Sequence, residues 1–455
     1  MKDWKNKKVL ILGFSLSGKA VARYLVSKKQ NPENGNFSVY ITEQRENKPE
    51  DERDIKELKS LGVKIEFGGH SDEFTSNVDI AVVSPSFPMD SDLYIKLKNQ
   101  GVDIMSEPDV AYLESNKPFI AITGTNGKTT TTALTSHILS TQYNAPACGN
   151  IGKPPCDLLN ENVDYFICEV SSFQAEHNKY FIPKIACWTN FTPDHITWHK
   201  TLENYFNAKA KLFEVKDIEY SVLNGNDEKL LEFANSGRCN GKIFLFDKET
   251  DNSSYIKNNA IYFKQDGIEE KIIELNECPL VGHHNYQNIM CGIIIAKLTG
   301  ITNNNITSAI MSFRAPEHRL EKVRELDGIT FYNDSKATNP EASIVAIDSF
   351  NNQDVALIAG GRDKLTDLKE FCYSVNNHIK TVILIGEATE RFEENLKKNG
   401  FSNIIKEETM ESAIDKSIEL HPDVVLLSPA CASFDMFTGY EQRGKVFKDY
   451  VLSKR

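Results

Sequence analysis

The 455-residue chain contains no apolar run near the roughly eighteen residues that a membrane-spanning helix needs. It has no low-complexity stretch and no periodic repeat, so an array of small repeated units is excluded. Its nine cysteines include no Cys-x-x-Cys pair, which removes the usual signs of a zinc site or a disulfide framework; scattered thiols suit a reducing cytoplasm. The net charge of −12 comes without a long basic stripe and argues against nucleic acid as a partner. Anionic small molecules need only a local cluster of Lys and Arg. Lys5, Lys7 and Lys8 ahead of Val9-Leu10-Ile11-Leu12 imitate a secretory leader, but Gly13 ends the apolar stretch, and Lys19 and Arg23 put charge into the next segment. A first strand and its helix fit better. What is present is ordinary for a soluble globular protein, 25% charged and 40% hydrophobic residues, with length for about three domains.

The most informative stretch is Gly124-Thr125-Asn126-Gly127-Lys128-Thr129-Thr130. The apolar Pro118-Phe119-Ile120-Ala121 before it reads as a buried strand, and Thr131 to Leu139 after it has helical spacing. Strand, Gly-rich turn and helix N-terminus together make a phosphate cradle, because backbone N–H groups converge there and the helix dipole favours an anion. Lys128 supplies charge for the outer phosphates and the Thr129 hydroxyl a ligand for Mg²⁺. Only Thr125 and Asn126 separate Gly124 from Gly127-Lys128, so the commoner four-residue spacing is absent while the physical context survives. The chain is expected to handle a nucleoside triphosphate.

Strands alternate with helices throughout, which means mostly parallel sheets with ligands at the C-terminal strand ends. The spacing predicts strands at Val9–Leu12, Ser38–Ile41, Val63–Phe67 and Asp79–Val83, within a first α/β domain over residues 1–106. A second domain, 107–315, carries the phosphate loop, strands Tyr165–Cys168 and Ile185–Trp188, and a helix led by Val281 to Asn288; residues 216–280 read as short strands and turns without a chemical motif. A third, 316–455, begins around Ala315-Pro316 and carries strands at Ile329–Tyr332, Val355–Ile358, Val382–Ile385 and Val424–Leu427. Gly13-Phe14-Ser15-Leu16-Ser17-Gly18 resembles a dinucleotide turn, but Ser15 stands where the middle Gly would allow close approach to a pyrophosphate. An NAD-dependent oxidoreductase would also leave the Gly124–Thr130 loop unexplained.

Glu169 follows a strand of the same sheet and is either a Mg²⁺ ligand or a capping acid; the uncharged Val170-Ser171-Ser172-Phe173-Gln174 favours the ligand. His195 and His199 invite a zinc-helix reading, but the intervening Ile, Thr and Trp lack the required Glu. One His beside a magnesium or phosphate group is more economical, with a hydrogen-bonded structural His as the alternative. Lys209 and Lys211 read by pattern as solvated helix lysines. Arg319 could act as a phosphoryl clamp. Lys364 and the Ser433–Phe434 turn could hold a carboxylate, or be a surface lysine and a helix cap.

Taken together, these segments resemble the Mur ligase family of ATP-dependent acid–amino acid ligases over essentially the whole chain. Asn333-Asp334-Ser335-Lys336-Ala337-Thr338-Asn339, Ser428 to Asp435 and Glu441-Gln442-Arg443-Gly444 are similar to its D-glutamate-adding branch, as are Glu169 to Gln174 and His284 to Asn288. The resemblance implies three α/β domains: a Rossmann-like UDP-binding domain, a central P-loop ATPase-type domain and a C-terminal Rossmann-like domain. It implies a cytoplasmic enzyme, expected to be a monomer without membrane insertion, that uses ATP to join D-glutamate to UDP-N-acetylmuramoyl-L-alanine through an acyl phosphate. Two Mg²⁺ ions are implied, one on Thr129 and Glu169, the other on His195 and a carbamylated Lys209. Asn150 matches a substrate-binding Asn, Asn285 and Asn288 the nucleotide-binding pair, and Arg319 and Asp334 groups that close on ATP. Lys336, Thr338, Lys364, Ser433 and Phe434 match the D-glutamate pocket; Leu16, Ser17 and Arg45 fall where UDP is held. Ser15 and Ser86 replace family glycines on the uridine side, and Tyr440 stands where Phe is common. The loop from His195 to Lys209 is one residue short, which leaves Lys211 as the competitor of Lys209. A folylpolyglutamate-type ligase is the rival with the same chemistry, but it lacks a UDP-binding first domain. A non-catalytic nucleotide-binding scaffold would show dead site residues, and none is seen.

Overall fold

The computed structural model describes residues 2–29, 35–280, 282–314, 317–350 and 353–454. Val281, Ala315 and Pro316, expected at a helix start and a domain boundary, lie outside them.

Three sheets follow one another along the chain. The first is parallel, in the order Lys64–Phe67, Ser38–Glu43, Lys8–Leu12, Ile80–Val83, Asp103–Ser106. Val9 and Ile11 pack on one face with Ile80 and Val82, and Leu10 and Leu12 on the other with Ala81 and Val83. Burial on both faces is why these strands read as continuous apolar runs rather than alternating ones. The second sheet places the phosphate-loop strand Phe119–Thr123 between Ile185–Trp188 and Phe166–Glu169, with Ala147–Gly149 at the edge. Beyond Ile185–Trp188 it continues through Tyr220–Asn224 and Lys242–Phe246 into Ser253–Lys257, Ala260–Gln265 and Ile268–Glu274, the last three antiparallel. The third runs Glu321–Leu326, Ile329–Asn333, Val424–Leu427, Val355–Gly360, Thr381–Ile385, Ile404–Lys406, parallel except for its first, antiparallel edge strand.

The expected α/β class therefore holds. Two compact units emerge: residues 1–277 with 287–311, containing the first two sheets, and residues 278–286 with 312–455, containing the third. Among the described residues no helix is long and apolar enough to cross a membrane.

Candidate active site

The strand Phe119–Thr123 delivers the chain to Gly124, and the helix Lys128–Leu139 starts four residues later. Gly124 has φ +148°, and a Cβ there would come within 1.9 Å of the Thr189 hydroxyl; at Gly127 (φ +80°) it would meet the Asn288 side-chain oxygen at 2.6 Å. Both positions thus require glycine on conformational and steric grounds. The loop is clamped from the next strand end. Thr125 N–H donates to the Asn190 carbonyl (3.0 Å), Asn126 N–H to Asn190 Oδ1 (2.8 Å), and the Thr189 hydroxyl to the Asn126 carbonyl (2.5 Å). The Thr125 hydroxyl donates to the Thr192 carbonyl at 3.0 Å and lies 3.1 Å from the Tyr205 hydroxyl. From the other side, the Thr131 hydroxyl donates to Asn288 Oδ1 at 3.0 Å. Thr129 and Thr130 are buried in the first turn of the helix.

Two lysines meet on one oxygen of this loop. Lys128 Nζ donates to the Gly124 carbonyl at 3.0 Å and to that of Thr125 at 2.6 Å, while Lys209 Nζ donates to the same Gly124 carbonyl at 2.7 Å. Lys209 is 1% exposed, packed over the Tyr205 ring. Burial, and next the charge of Lys128, hold its amine well below the ordinary lysine range. Lys211 instead donates to the Glu176 carbonyl at 2.6 Å. Of the two candidates, only Lys209 sits at the phosphate loop.

Glu169, 2% exposed at its strand end, accepts from the Asn150 side-chain amide at 3.0 Å through Oε1, while its Oε2 is buried without a partner. A buried carboxylate oxygen left open is what a hard cation would use. Among the described residues no three His, Cys, Asp or Glu side chains gather into a metal cage. That donor set suits Mg²⁺, which takes few protein carboxylates and completes its shell with phosphate and water, and not zinc. His195 adopts φ +53° after Asp194; its Nε2 lies 3.4 Å from Asp194 Oδ2 and its ring stacks edge-on to Phe173. Burial lowers its pKa, opposed by Asp194 and helped by Lys128 and Lys209, so a neutral, ligand-ready imidazole is favoured. His199 is buried with Nε2 3.0 Å from the Ser172 hydroxyl, a structural arrangement.

In the first sheet, a cavity of about 690 Å³ at the strand ends is lined by Gly13, Glu43, His70, Ser84 and Ser86. Ser15 caps the helix Leu16–Lys29 by accepting from Gly18 N–H at 3.1 Å and lies 2.8 Å from the Ser84 hydroxyl. Glu43 accepts from Phe14 N–H at 2.8 Å. Leu16 is exposed in the first turn, Ser17 follows it, and Arg45 holds Asp51 in a two-pronged pair (2.6 and 3.1 Å). None of these three is among the residues that line the cavity.

In the second unit, Asn285 and Arg319 line a cavity of about 530 Å³ with Leu280, Leu320 and Tyr332, and the Arg319 Nε is buried without a partner. Asp334 accepts from the Ser428 hydroxyl (2.8 Å) and Leu320 N–H (3.1 Å); burial raises its pKa to about 6, opposed first by Arg319. The Lys336 ammonium lies over the Tyr440 ring, and Thr338 N–H donates to the Lys336 carbonyl at 2.9 Å. Ser433 is buried and Phe434 beside it 68% exposed. The loop that bears exposed Lys364 is tied to theirs by Arg362 N–H donating to the Ala432 carbonyl at 2.8 Å. Arg443 organises this end. It is 1% exposed, donating to the Ser335 hydroxyl and carbonyl (3.0 and 2.8 Å) and to the Cys431 carbonyl (3.1 Å). Burial lowers its pKa to about 10. Sequence reasoning assigned no role to Arg443, Asn190 or Thr189; the first lies within the Glu441–Gly444 string, and the other two follow a strand in the phosphate-loop sheet.

Residues 122–296 match the family model described as Mur ligase middle domain, and residues 318–431 that described as Mur ligase, glutamate ligase domain. The chain is 39% identical, over 100% of both lengths, to the UDP-N-acetylmuramoylalanine–D-glutamate ligase of Thermoanaerobacter sp. (strain X514). It is 38% identical, over 99% of both, to the ligase of the same name from Clostridioides difficile (strain 630). The solved UDP-N-acetylmuramate-alanine ligase of Thermotoga maritima aligns with TM-score 0.59 over 98% of this chain and 100% of its own, at 19% identity. The Mycobacterium tuberculosis folylpolyglutamate synthase aligns with TM-score 0.58 over 77% of this chain and 93% of its own, at 15% identity. Both structural likenesses speak to the fold.

Proposed function

The chain belongs to the Mur ligase family, and from that premise we propose that it is the cytoplasmic ATP-dependent ligase that adds D-glutamate to UDP-N-acetylmuramoyl-L-alanine in peptidoglycan precursor synthesis. A free carboxylate is a poor electrophile, so the reaction has to create a leaving group. The γ-phosphoryl of ATP passes to the alanyl carboxylate, ADP leaves, and the D-glutamate amine attacks the acyl phosphate; amide forms and phosphate departs. The enzyme's part is alignment and charge neutralisation among three anionic partners.

The observation that carries the reading is the pair of lysines on the Gly124 carbonyl. Burial, and next the nearby Lys128 ammonium, hold the Lys209 amine well below the ordinary lysine range, which favours its neutral form. A neutral amine adds to carbon dioxide and gives a carbamate anion with release of a proton. Carbamylated Lys209 would then attract Lys128 and, with His195, hold a second Mg²⁺, the first lying on Thr129 and the open oxygen of Glu169. Ions held by these residues would supply screening of the phosphate charge. Lys128, no longer needed by loop carbonyls, turns to the β- and γ-phosphates, with the backbone of Gly124 to Thr130 around them. We assign Asn285, Asn288, Arg319 and Asp334 to the nucleotide, and Asn150, Leu16, Ser17 and Arg45 to the UDP-linked substrate. Lys336, Thr338, Lys364, Ser433 and Phe434 are assigned to D-glutamate, with domains at 1–106, 107–315 and 316–455. The direct test is trapping with hydroxylamine: ATP and UDP-N-acetylmuramoyl-L-alanine without D-glutamate should yield the alanyl hydroxamate. Its absence, with ATP binding intact, would remove the acyl phosphate from the account.

A further inference from the structure

Phe191 follows the strand Ile185–Trp188 and lines a cavity whose lining includes no residue of the phosphate loop. This cavity, of about 540 Å³, opens between the helices Leu202–Ala210 and Glu228–Asn235. This size is within the range of small-molecule sites. Phe191, Phe206 and Phe233 line it, Phe191 and Phe206 edge to face at 5.0 Å and Phe206 and Phe233 at 5.6 Å. Trp188 backs them, 5.0 Å from Phe206. Leu202 stands at the wall, 40% exposed. The cations at the rim are committed: Lys229 to Glu232 at 2.8 Å, and Arg238 to Glu214 at 2.7 Å and to the Asn207 side chain at 2.8 Å. An anionic ligand would have to break one of these pairs, and a cation would meet only the exposed, solvent-screened Glu203. Exposed Glu203 leaves a carboxylate at the rim as acceptor for one N–H.

Phe191 links this cavity to the chemistry. It lies between Asn190, which holds Thr125 and Asn126, and Thr192, whose carbonyl accepts from the Thr125 hydroxyl. Its own N–H is fixed on Asp227 at 2.7 Å, the cap of the helix on the far side of the cavity. A molecule pressing on the Phe191 ring would therefore strain the hydrogen bonds that Asn190 and Thr192 make with the phosphate loop. We propose that this cavity is a binding site for a neutral, flat aromatic molecule carrying one N–H donor, and that its occupancy weakens nucleotide binding. The regulatory part rests on the nucleotide reading of the Gly124–Thr130 loop; the binding part does not.

Indole is the probe. Calorimetric titration of the whole protein should show saturable binding with Kd on the order of 1 mM, as befits so small a ligand. Indole-3-acetate should bind at least about fivefold more weakly, because its charge finds no free partner. Leu202→Trp, which fills the mouth, should raise the indole Kd about tenfold or more with turnover within about twofold of wild type. Ser236→Phe, from the opposite wall, repeats the block should the first variant fold poorly. Saturating indole should raise the Kd of ADP at least about threefold in the wild type and leave it unchanged in the blocked variant. No saturable indole binding, or equal binding by blocked and wild-type protein, would overturn the site. Binding that leaves the ADP Kd unchanged would overturn the coupling, and this readout stands whichever acceptor acid the enzyme takes.

Discussion

Lys209→Ala is the perturbation that separates this account from the one in which Lys209 is merely a buried lysine. The substitution removes an amine held 2.7 Å from the Gly124 carbonyl in a site 1% exposed. For stability, two terms oppose. Loss of the buried alkyl stem costs about 2–3 kcal/mol, while in protein stripped of carbon dioxide relief from burying an amine beside Lys128 returns a comparable amount. The folded variant should therefore melt close to wild type. For turnover nothing compensates. On the proposed carbamate, loss of its oxygen ligand and of the charge that would balance Lys128 should cost at least about a hundredfold in kcat. If the carbamate forms as proposed, a carboxylic acid can take its place, so acetate or propionate in the buffer should restore about tenfold or more. Lys209→Arg, which fills the space and cannot form a carbamate, should be inactive without rescue. Lys211→Ala loses only a bond to the Glu176 carbonyl and should stay within about threefold of wild type. Phosphate release from ATP, with circular dichroism to check folding, reads all four proteins. Near-normal turnover by folded Lys209→Ala, or a larger loss in Lys211→Ala, would refute the reasoning. The pH dependence carries a sign of its own. An unmodified Lys209 has its folded pKa depressed, so the unfolded chain binds the extra proton between that value and 10.5, and stability of protein stripped of carbon dioxide rises with pH across that window.

Gly124→Ala places a Cβ 1.9 Å from the Thr189 hydroxyl at φ +148°; backbone strain and the lost Thr189–Asn126 bond should together cost about 2–4 kcal/mol, read as a lower Tm and a weaker ADP Kd by calorimetry. Lys128→Ala should lose at least about a hundredfold in kcat with its fold intact, and near-normal turnover would remove the loop from the active site. Asp334 has its pKa raised to about 6 by burial, so its carboxylate costs stability as pH climbs past its ordinary range toward that value; Asp334→Asn should gain up to about 3 kcal/mol relative to wild type between pH 4 and 6, measured by urea denaturation. Arg443→Lys keeps the charge but cannot reach Ser335 and Cys431 together, so Tm should fall and the KM for D-glutamate rise about tenfold or more.

How much of this was legible in the sequence depended on burial. Strands such as Lys8–Leu12 and Val424–Leu427 are covered on both faces and so announced themselves as apolar runs. Asp103–Ser106, Ala147–Gly149 and Ile404–Lys406 are edge strands of three or four residues, and Glu321–Leu326 is a mostly charged antiparallel edge strand; none has a run to read. The phosphate loop was legible because glycine, lysine and threonine at a strand-to-helix junction carry a local mechanism. Lys209 was not separable from Lys211 by pattern, since its burial arises from packing on a loop 85 residues away in sequence. The Asn190 clamp and the Arg443 network stayed hidden for the same reason. An asparagine after a strand and an arginine on a helix look like surface residues until the partner carbonyls are in place.

The central claim is the choice of acceptor. In the proposed pocket D-glutamate would present its amine to the acyl phosphate while Lys364, the Ser433–Phe434 turn, Lys336 and Thr338 held both carboxylates. The L-enantiomer keeps those contacts only by turning the amine away, and unpaired pocket groups then cost about 1–3 kcal/mol each. The decisive measurement is phosphate release by the purified protein with ATP, Mg²⁺ and UDP-N-acetylmuramoyl-L-alanine, offered D-glutamate, L-glutamate or meso-diaminopimelate in turn. The account predicts sustained release with D-glutamate and essentially none with the other two. Comparable turnover with L-glutamate would contradict it.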